Sequence, residues 1–238
     1  MTNMSRWRRC LVEVAIAVSL FAIAPSSSQA LPGTSGLVSI PTATIAADGD
    51  LTAGMNRIAP GYRDYHSGRA DENAVIAQFA TVGFLPFVEV GLRLTRIADV
   101  PRQALGDRMV SVRVRLLKEG AYRPAVAVGV HDIVGTRRFH ATYAVASKTA
   151  ATVAGAVGLH VGYGHDVLGL RARGRQFDGL FGGVSVAPHR WITLVAEYDG
   201  ERPSTGVRLG PVHGVALLAA LQNFDAVSGG VSYTFALR

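Results

Sequence analysis

The chain holds a single cysteine, Cys10, among its 238 residues. One thiol excludes an internal disulfide framework and a thiolate metal site. Acidic residues are also short, 17 against 24 Lys and Arg, which gives a net charge of +7. The excess is spread along the chain with no dense basic stripe interleaved with aromatics, so nucleic acid is not an expected partner. A solvated basic surface, an acidic polymer or an anionic lipid all fit that moderate charge. Beyond the first 30 residues there is no long apolar run and no Pro- or Ser-rich linker, so no later helix is expected to span a bilayer and the remainder reads as one domain.

What is present begins with an address. Arg6, Arg8 and Arg9 precede the apolar run Leu11 to Ala24, and Ser28-Gln29-Ala30 supplies small residues where a cleavage site would stand. This pattern predicts a secretory signal peptide over residues 1–30. The alternative is a membrane anchor, but the run carries Glu13 and is only about 14 residues, against ~20 for a span. Cys10 stands before the run rather than after it, a poor position for lipidation.

Alternation with a period of two then dominates. Val88, Val90, Leu92 and Leu94 interleave with Glu89, Gly91, Arg93 and Thr95, and Val110, Val112, Val114 and Leu116 with Ser111, Arg113 and Arg115. Such spacing puts apolar side chains on one face of a strand and charged ones on the other. Twelve strands are predicted, near residues 51–58, 73–83, 87–97, 108–117, 124–134, 138–147, 152–164, 177–187, 191–199, 204–211, 214–222 and 228–237. Val215 to Leu221 is the weakest of them, since it does not alternate and suits a short helix as well.

A soluble sandwich also alternates, so connection lengths are needed to decide. Long polar links follow the first, third and seventh strands, and tight turns follow the second, eighth and tenth. That asymmetry is expected of a transmembrane antiparallel up-and-down β-barrel with both termini in the periplasm. Hydrocarbon admits only helices and closed barrels, because unpaired backbone groups there cost several kcal/mol each. Phe84, Phe87 and Trp191 stand near strand ends, where an aromatic girdle would need them. The last strand, with Tyr233 and Phe235 on one face, is similar to the insertion signal of bacterial outer-membrane barrels, and three further residues follow it. The expected location is the outer membrane of a Gram-negative bacterium. Residues 31–50 are then a periplasmic lead-in, extended to Pro41 and turning at Asp48-Gly49 into a barrel over 51–238.

Two stretches carry a resemblance. "GLVSIPTATIAADGDLTAGMN", from Gly36, and "DRMVSVRVRLLKEGAYRPAVAVGVHDIVGTRRFHATYAVASK", from Asp107 to Lys148, resemble blocks of the YjbH family of outer-membrane proteins associated with exopolysaccharide production. Thr142 stands where members carry Glu, and members are usually longer, so the chain resembles a barrel-only version. The resemblance implies a part in exopolysaccharide production, export or surface deposition, with outer-membrane lipid, anionic exopolysaccharide and other envelope secretion proteins as partners.

The candidate site is a charged lumen lining: Glu89, Arg93, Arg113, Arg115, His131, His160, Glu197 and Arg208. Buried charges persist only where they are paired or wet. The cluster could therefore steer an anionic polymer, with Arg113 and Arg115 setting ion preference, or form a Glu-Arg network that fills a narrow barrel. No catalytic, cofactor or metal site is expected. Gly183-Val184-Ser185-Val186-Ala187 approximates a nucleophile elbow but lies within a strand. His131-Asp132 and His165-Asp166 would diverge in extended backbone, as would His160 and His165. Three functions remain open: a transport or secretion barrel, a side-chain-filled structural barrel whose loops, such as Gly61 to His66, hold a partner, and a barrel enzyme acting on lipid or polysaccharide.

Overall fold

A computed structural model describes residues 29–60, 73–98, 107–135, 137, 139–167 and 178–237. The predicted signal peptide up to residue 28 and the loop Gly61 to His66 lie outside these residues. Twelve antiparallel strands close into one barrel. In chain order they are β1 (Asp50–Ile58), β2 (Val75–Phe84), β3 (Val88–Ile97), β4 (Asp107–Leu117), β5 (Ala125–Gly135), β6 (Ala141–Thr152), β7 (Gly155–His165), β8 (Gly179–His189), β9 (Ile192–Tyr198), β10 (Pro203–Leu209), β11 (Val215–Gln222) and β12 (Ala226–Ala236). Each strand pairs with its neighbours in sequence, and β1 pairs with β12 from Asp50–Ala236 to Arg57–Gly229, which leaves no free edge.

Parity along the strands sets the two faces. In β3, Glu89, Gly91, Arg93 and Thr95 point inward and are buried, while Leu92 and Arg96 are exposed on the exterior. The exterior is apolar over most of its height, with Leu159, Val161, Leu194, Leu217 and Val231 all exposed. Exposed aromatics lie toward both rims: Phe84, Phe87, Trp191, Tyr233 and Phe235 toward the rim with the chain ends, and Tyr163, Tyr198 and Phe224 toward the other. The longest connections, residues 59–74, 98–106 and 166–178, all leave this second rim.

Most strand ends lie within two residues of those read in the sequence, and the sixth strand departs furthest. The sixth strand starts at Ala141 rather than 138, because the Phe139 amide is held by Asp132 Oδ2 at 3.1 Å. It also runs on through the polar stretch Lys148 to Thr152, since the hairpin pairs as far as Thr152–Gly155. Val215 to Leu221 is a strand. It fails to alternate because its inward residues Leu218 and Ala220 meet an apolar partner inside the barrel.

That partner is the segment before β1. The lead-in expected on the periplasmic side, residues 31–50, instead packs within the lumen from residue 29 to about residue 46, with Leu37, Val38, Ile40 and Ala43 almost wholly shielded from solvent. Its path is irregular. It folds on itself through the bridges Gln29–Ser35 and Gly36–Pro41 and through bonds from Leu31 N to Val38 O and Leu37 N to Ile40 O. It reaches the wall where Asp48 bridges Gly83. Gly49, at φ +81°, then supplies the left-handed turn into β1. The width of the barrel accounts for this plug. Eight strands enclose a lumen that side chains can just fill, and diameter grows with strand number, so twelve leave room for a chain segment.

Candidate functional site

An irregular segment inside a barrel carries amides and carbonyls that no sheet ladder satisfies, and each left unpaired costs roughly 1–3 kcal/mol. Four ionic side chains of the wall answer them. Glu89 on β3 accepts from the Ser35 amide at 3.1 Å, the Ser35 hydroxyl at 2.7 Å and the Ala46 amide at 2.7 Å. Arg113, its direct neighbour on β4, donates to the carbonyls of Ser35, Thr42 and Thr44 at 2.6, 3.1 and 3.2 Å. The two are also paired to each other at 2.7 Å. The second clamp works the same way from β9 and β10. Glu197 accepts from the successive amides of Val38, Ser39 and Ile40 at 2.8, 2.6 and 3.4 Å. Arg208 donates to the carbonyls of Gln29, Gly36 and Leu37 at 3.3, 3.1 and 2.8 Å. In each clamp a carboxylate takes backbone donors and a guanidinium takes backbone acceptors, both as charge-assisted bonds.

Polar wall residues complete the fastening. Asn56 Nδ2 donates to the carbonyls of Ala30 and Leu31 at 3.2 and 2.9 Å, and the Thr81 hydroxyl donates to Gly33 O. The Ala43 amide donates to Ser147 Oγ at 2.8 Å, which in turn lies 2.8 Å from His160 Nδ1. His160 Nε2 lies 3.3 Å from Ser185 Oγ. Between the clamps, Leu37 and Val38 press against β8 and β10. A Cβ added at Gly183 would come 2.6 Å from Leu37 Cδ1, so only glycine seats that side chain.

Of the eight charged residues singled out in the sequence, Glu89, Arg113, Glu197, Arg208 and His160 meet at the plug. Arg93 and His131 are buried apart from it, Arg93 against Met109 Sδ and His131 Nδ1 at 2.9 Å from Ser111 Oγ. Arg115 sits at the lower end of β4, half-exposed, and donates to the carbonyl of Pro86 in the β2–β3 turn. Arg93, Arg113 and Arg115 therefore do not act as one cationic cluster.

His131 and Asp132 do not diverge as extended backbone would require. Asp132 has φ +51° beside a register shift in the β4–β5 pairing, and both side chains are buried. They serve different partners, Ser111 for His131 and the Phe139 amide for Asp132. His160 and His165 do part, the first inward and the second outward at 3.7 Å from Asp178. Gly183 to Ala187 lies inside β8. Among the described residues no group of three or more His, Cys, Asp and Glu could hold a metal ion.

Sequence reasoning passed over Asn56, Thr81 and Ser147. Strand parity marks all three as inward polar positions. It does not indicate what they face.

Residues 28–208 match the family model described as Exopolysaccharide biosynthesis protein YbjH. The chain belongs to this YjbH family. The matched span contains the plug and all four ionic tethers. One relative, the "Uncharacterized lipoprotein YjbH" of Escherichia coli (strain K12), is 34% identical over 150 residues, which cover 59% of this chain and 19% of that protein. Measured by that match, the chain spans about a fifth of the length of its curated relative.

Proposed function

We propose that this YjbH-family chain is an outer-membrane barrel that assists exopolysaccharide production with its lumen stoppered, as a non-catalytic envelope component rather than an open conduit. The observation that carries the reading is the doubly clamped plug. Arg113 and Arg208 each give donors to three plug carbonyls, so neither faces an open channel. The apolar exterior between two aromatic rims supports a membrane setting. The family description supports the link to exopolysaccharide. The lipoprotein named among its relatives supports an envelope location.

Deletion of the coding region tests the role. Surface-bound and released polymer should change in amount or composition, and the wild-type gene should restore both. Unchanged polymer in the deletion strain would remove the exopolysaccharide assignment. Fractionation of the wild-type strain tests the location, since the protein should sediment with outer membranes.

A further inference from the structure

Resting on that membrane reading, we propose that the exterior of β1 to β4, at the rim bearing the long connections, binds the phosphate groups of a phosphorylated glycolipid headgroup through Arg57, Arg96 and Arg108. All three side chains are exposed and lie on the outer face, on the opposite parity from the buried Arg93 and Thr95. The register places them together. Arg57 and Arg96 are each directly opposite Ile76, from its two sides, so they stand two strand spacings apart, about 10 Å. Arg108 is opposite Leu94, on the diagonal from Arg96, about 7–8 Å away.

None of the three has a hydrogen bond or ion pair among the described residues. The neighbouring acid, Asp107, is buried on the lumen face. Below them the exterior continues as Met55, Gln78 and Leu94 and then as Ala53, Ala80, Leu92 and Val110, so beneath the single polar Gln78 the charges cap an apolar wall. Elsewhere on this rim the exterior rows of the strands carry Tyr163, Leu180, Tyr198 and Val227, and the basic His165 and Arg202 there stand beside Asp178 and Glu201.

Charge complementarity and position select the occupant. A guanidinium presents a planar fork that matches phosphate oxygens in pairs, and three within this span suit a headgroup bearing more than one phosphate. A soluble acidic polymer would approach from beyond the rim, along the loops. A lipid headgroup lies level with the last exterior row, while its acyl chains cover the apolar rows beneath. The aliphatic stems of the arginines can follow that boundary with their charged ends at the polar layer.

The experiment uses the full chain, purified in detergent and immobilised, and titrated with a phosphorylated bacterial glycolipid and with the same glycolipid after enzymatic dephosphorylation. The phosphorylated form should be retained, and R57Q/R96Q/R108Q should bind it about tenfold more weakly or worse. The Arg57→Lys, Arg96→Lys, Arg108→Lys triple should fall between. Inorganic phosphate and a soluble acidic polysaccharide should not displace the lipid. Heat-modifiable migration in gels establishes that each variant is a folded barrel, and either triple that is folded suffices for the comparison with wild type. Equal binding by the glutamine triple, or equal retention of the dephosphorylated form, overturns the proposal. Displacement by inorganic phosphate reduces it to a free-anion site, and displacement by polysaccharide reassigns the arginines to polymer; both overturn the lipid assignment. A wild-type protein recovered outside the membrane fraction defeats the membrane reading itself, whereas a membrane-inserted protein with arginine-independent lipid binding defeats this inference alone.

Discussion

Glu89 Oε1 lies 2.7 Å from Arg113 Nη2 across the β3–β4 pairing, and neither side chain reaches solvent. Their attraction is only part of what holds them, because each also binds backbone of the plug. Removing one partner leaves the other charged, buried and underpaired, which typically costs ~3–5 kcal/mol. Glu89→Ala should therefore lower the urea midpoint of the detergent-solubilised barrel more than an ordinary core truncation does. The double variant Glu89→Ala/Arg113→Ala should lose clearly less than the two single losses added together. Additive losses would mean that the pair does not act as a unit.

The strands of the fold were legible because a barrel wall is periodic. Val88 to Thr95 alternates between lipid-like and ionic positions, and that parity alone put Glu89, Arg93, Arg113, Arg115, His131, His160, Glu197 and Arg208 inside; parity carries no depth, so it could not tell that Arg115 stands half-exposed at the barrel end. The plug was not legible, because Ala30 to Ala46 has no period. Its partners lie 25 to 179 residues away in sequence, from Asn56 on Leu31 to Arg208 on Gln29. A usable signal existed in the register. Glu197 stands opposite Ser204 and Arg208 opposite Thr193, so these two inward charges on adjacent strands are not directly paired with each other. Buried charges without each other require a third party, and an irregular peptide meets that need. The same reasoning explains β11, whose inward Leu218 and Ala220 break the alternation because they face apolar plug residues instead of water.

Ser147 links plug, wall and histidine through one hydroxyl. Its oxygen accepts the Ala43 amide and lies 2.8 Å from His160 Nδ1, while the other ring nitrogen, Nε2, lies 3.3 Å from Ser185 Oγ. Ser147→Ala orphans a buried amide and removes the Nδ1 partner of His160, at a cost of roughly 1–3 kcal/mol. Ser185→Ala removes only the longer, 3.3 Å contact and should cost less. Comparing the two urea midpoints checks the order; a larger loss for Ser185→Ala would contradict the relay.

Gly183 is small for the sake of Leu37. Valine there would drive its side chain into the plug at a position where Cβ alone already comes 2.6 Å from Leu37 Cδ1 and 2.7 Å from Ala196 O. Overpacking of this kind costs ~1–3 kcal/mol. The loss should appear as faster proteolysis of the plug in folded barrels, with Leu37→Ala restoring part of the protection in the Gly183→Val background. Unaltered cleavage near Leu37 in Gly183→Val would show that the plug does not depend on this seat.

The clamps also decide what a bilayer recording should show. If Arg113 and Arg115 lined an open pore, reversing both to Glu would change ion preference directly. Arg113 is instead committed to Glu89 and three plug carbonyls, and Arg115 to Pro86 at the barrel end. Wild-type protein in planar bilayers should accordingly pass little current. Glu197→Ala/Arg208→Ala frees the plug from β9 and β10 by removing the partners of three amides and three carbonyls, and should give intermittent openings. Ion preference should respond to Arg113 only in that loosened background, since only there can mobile ions reach the lumen wall. Steady wild-type conductance that is indifferent to the Glu197/Arg208 change would mean that the segment before β1 does not close the barrel.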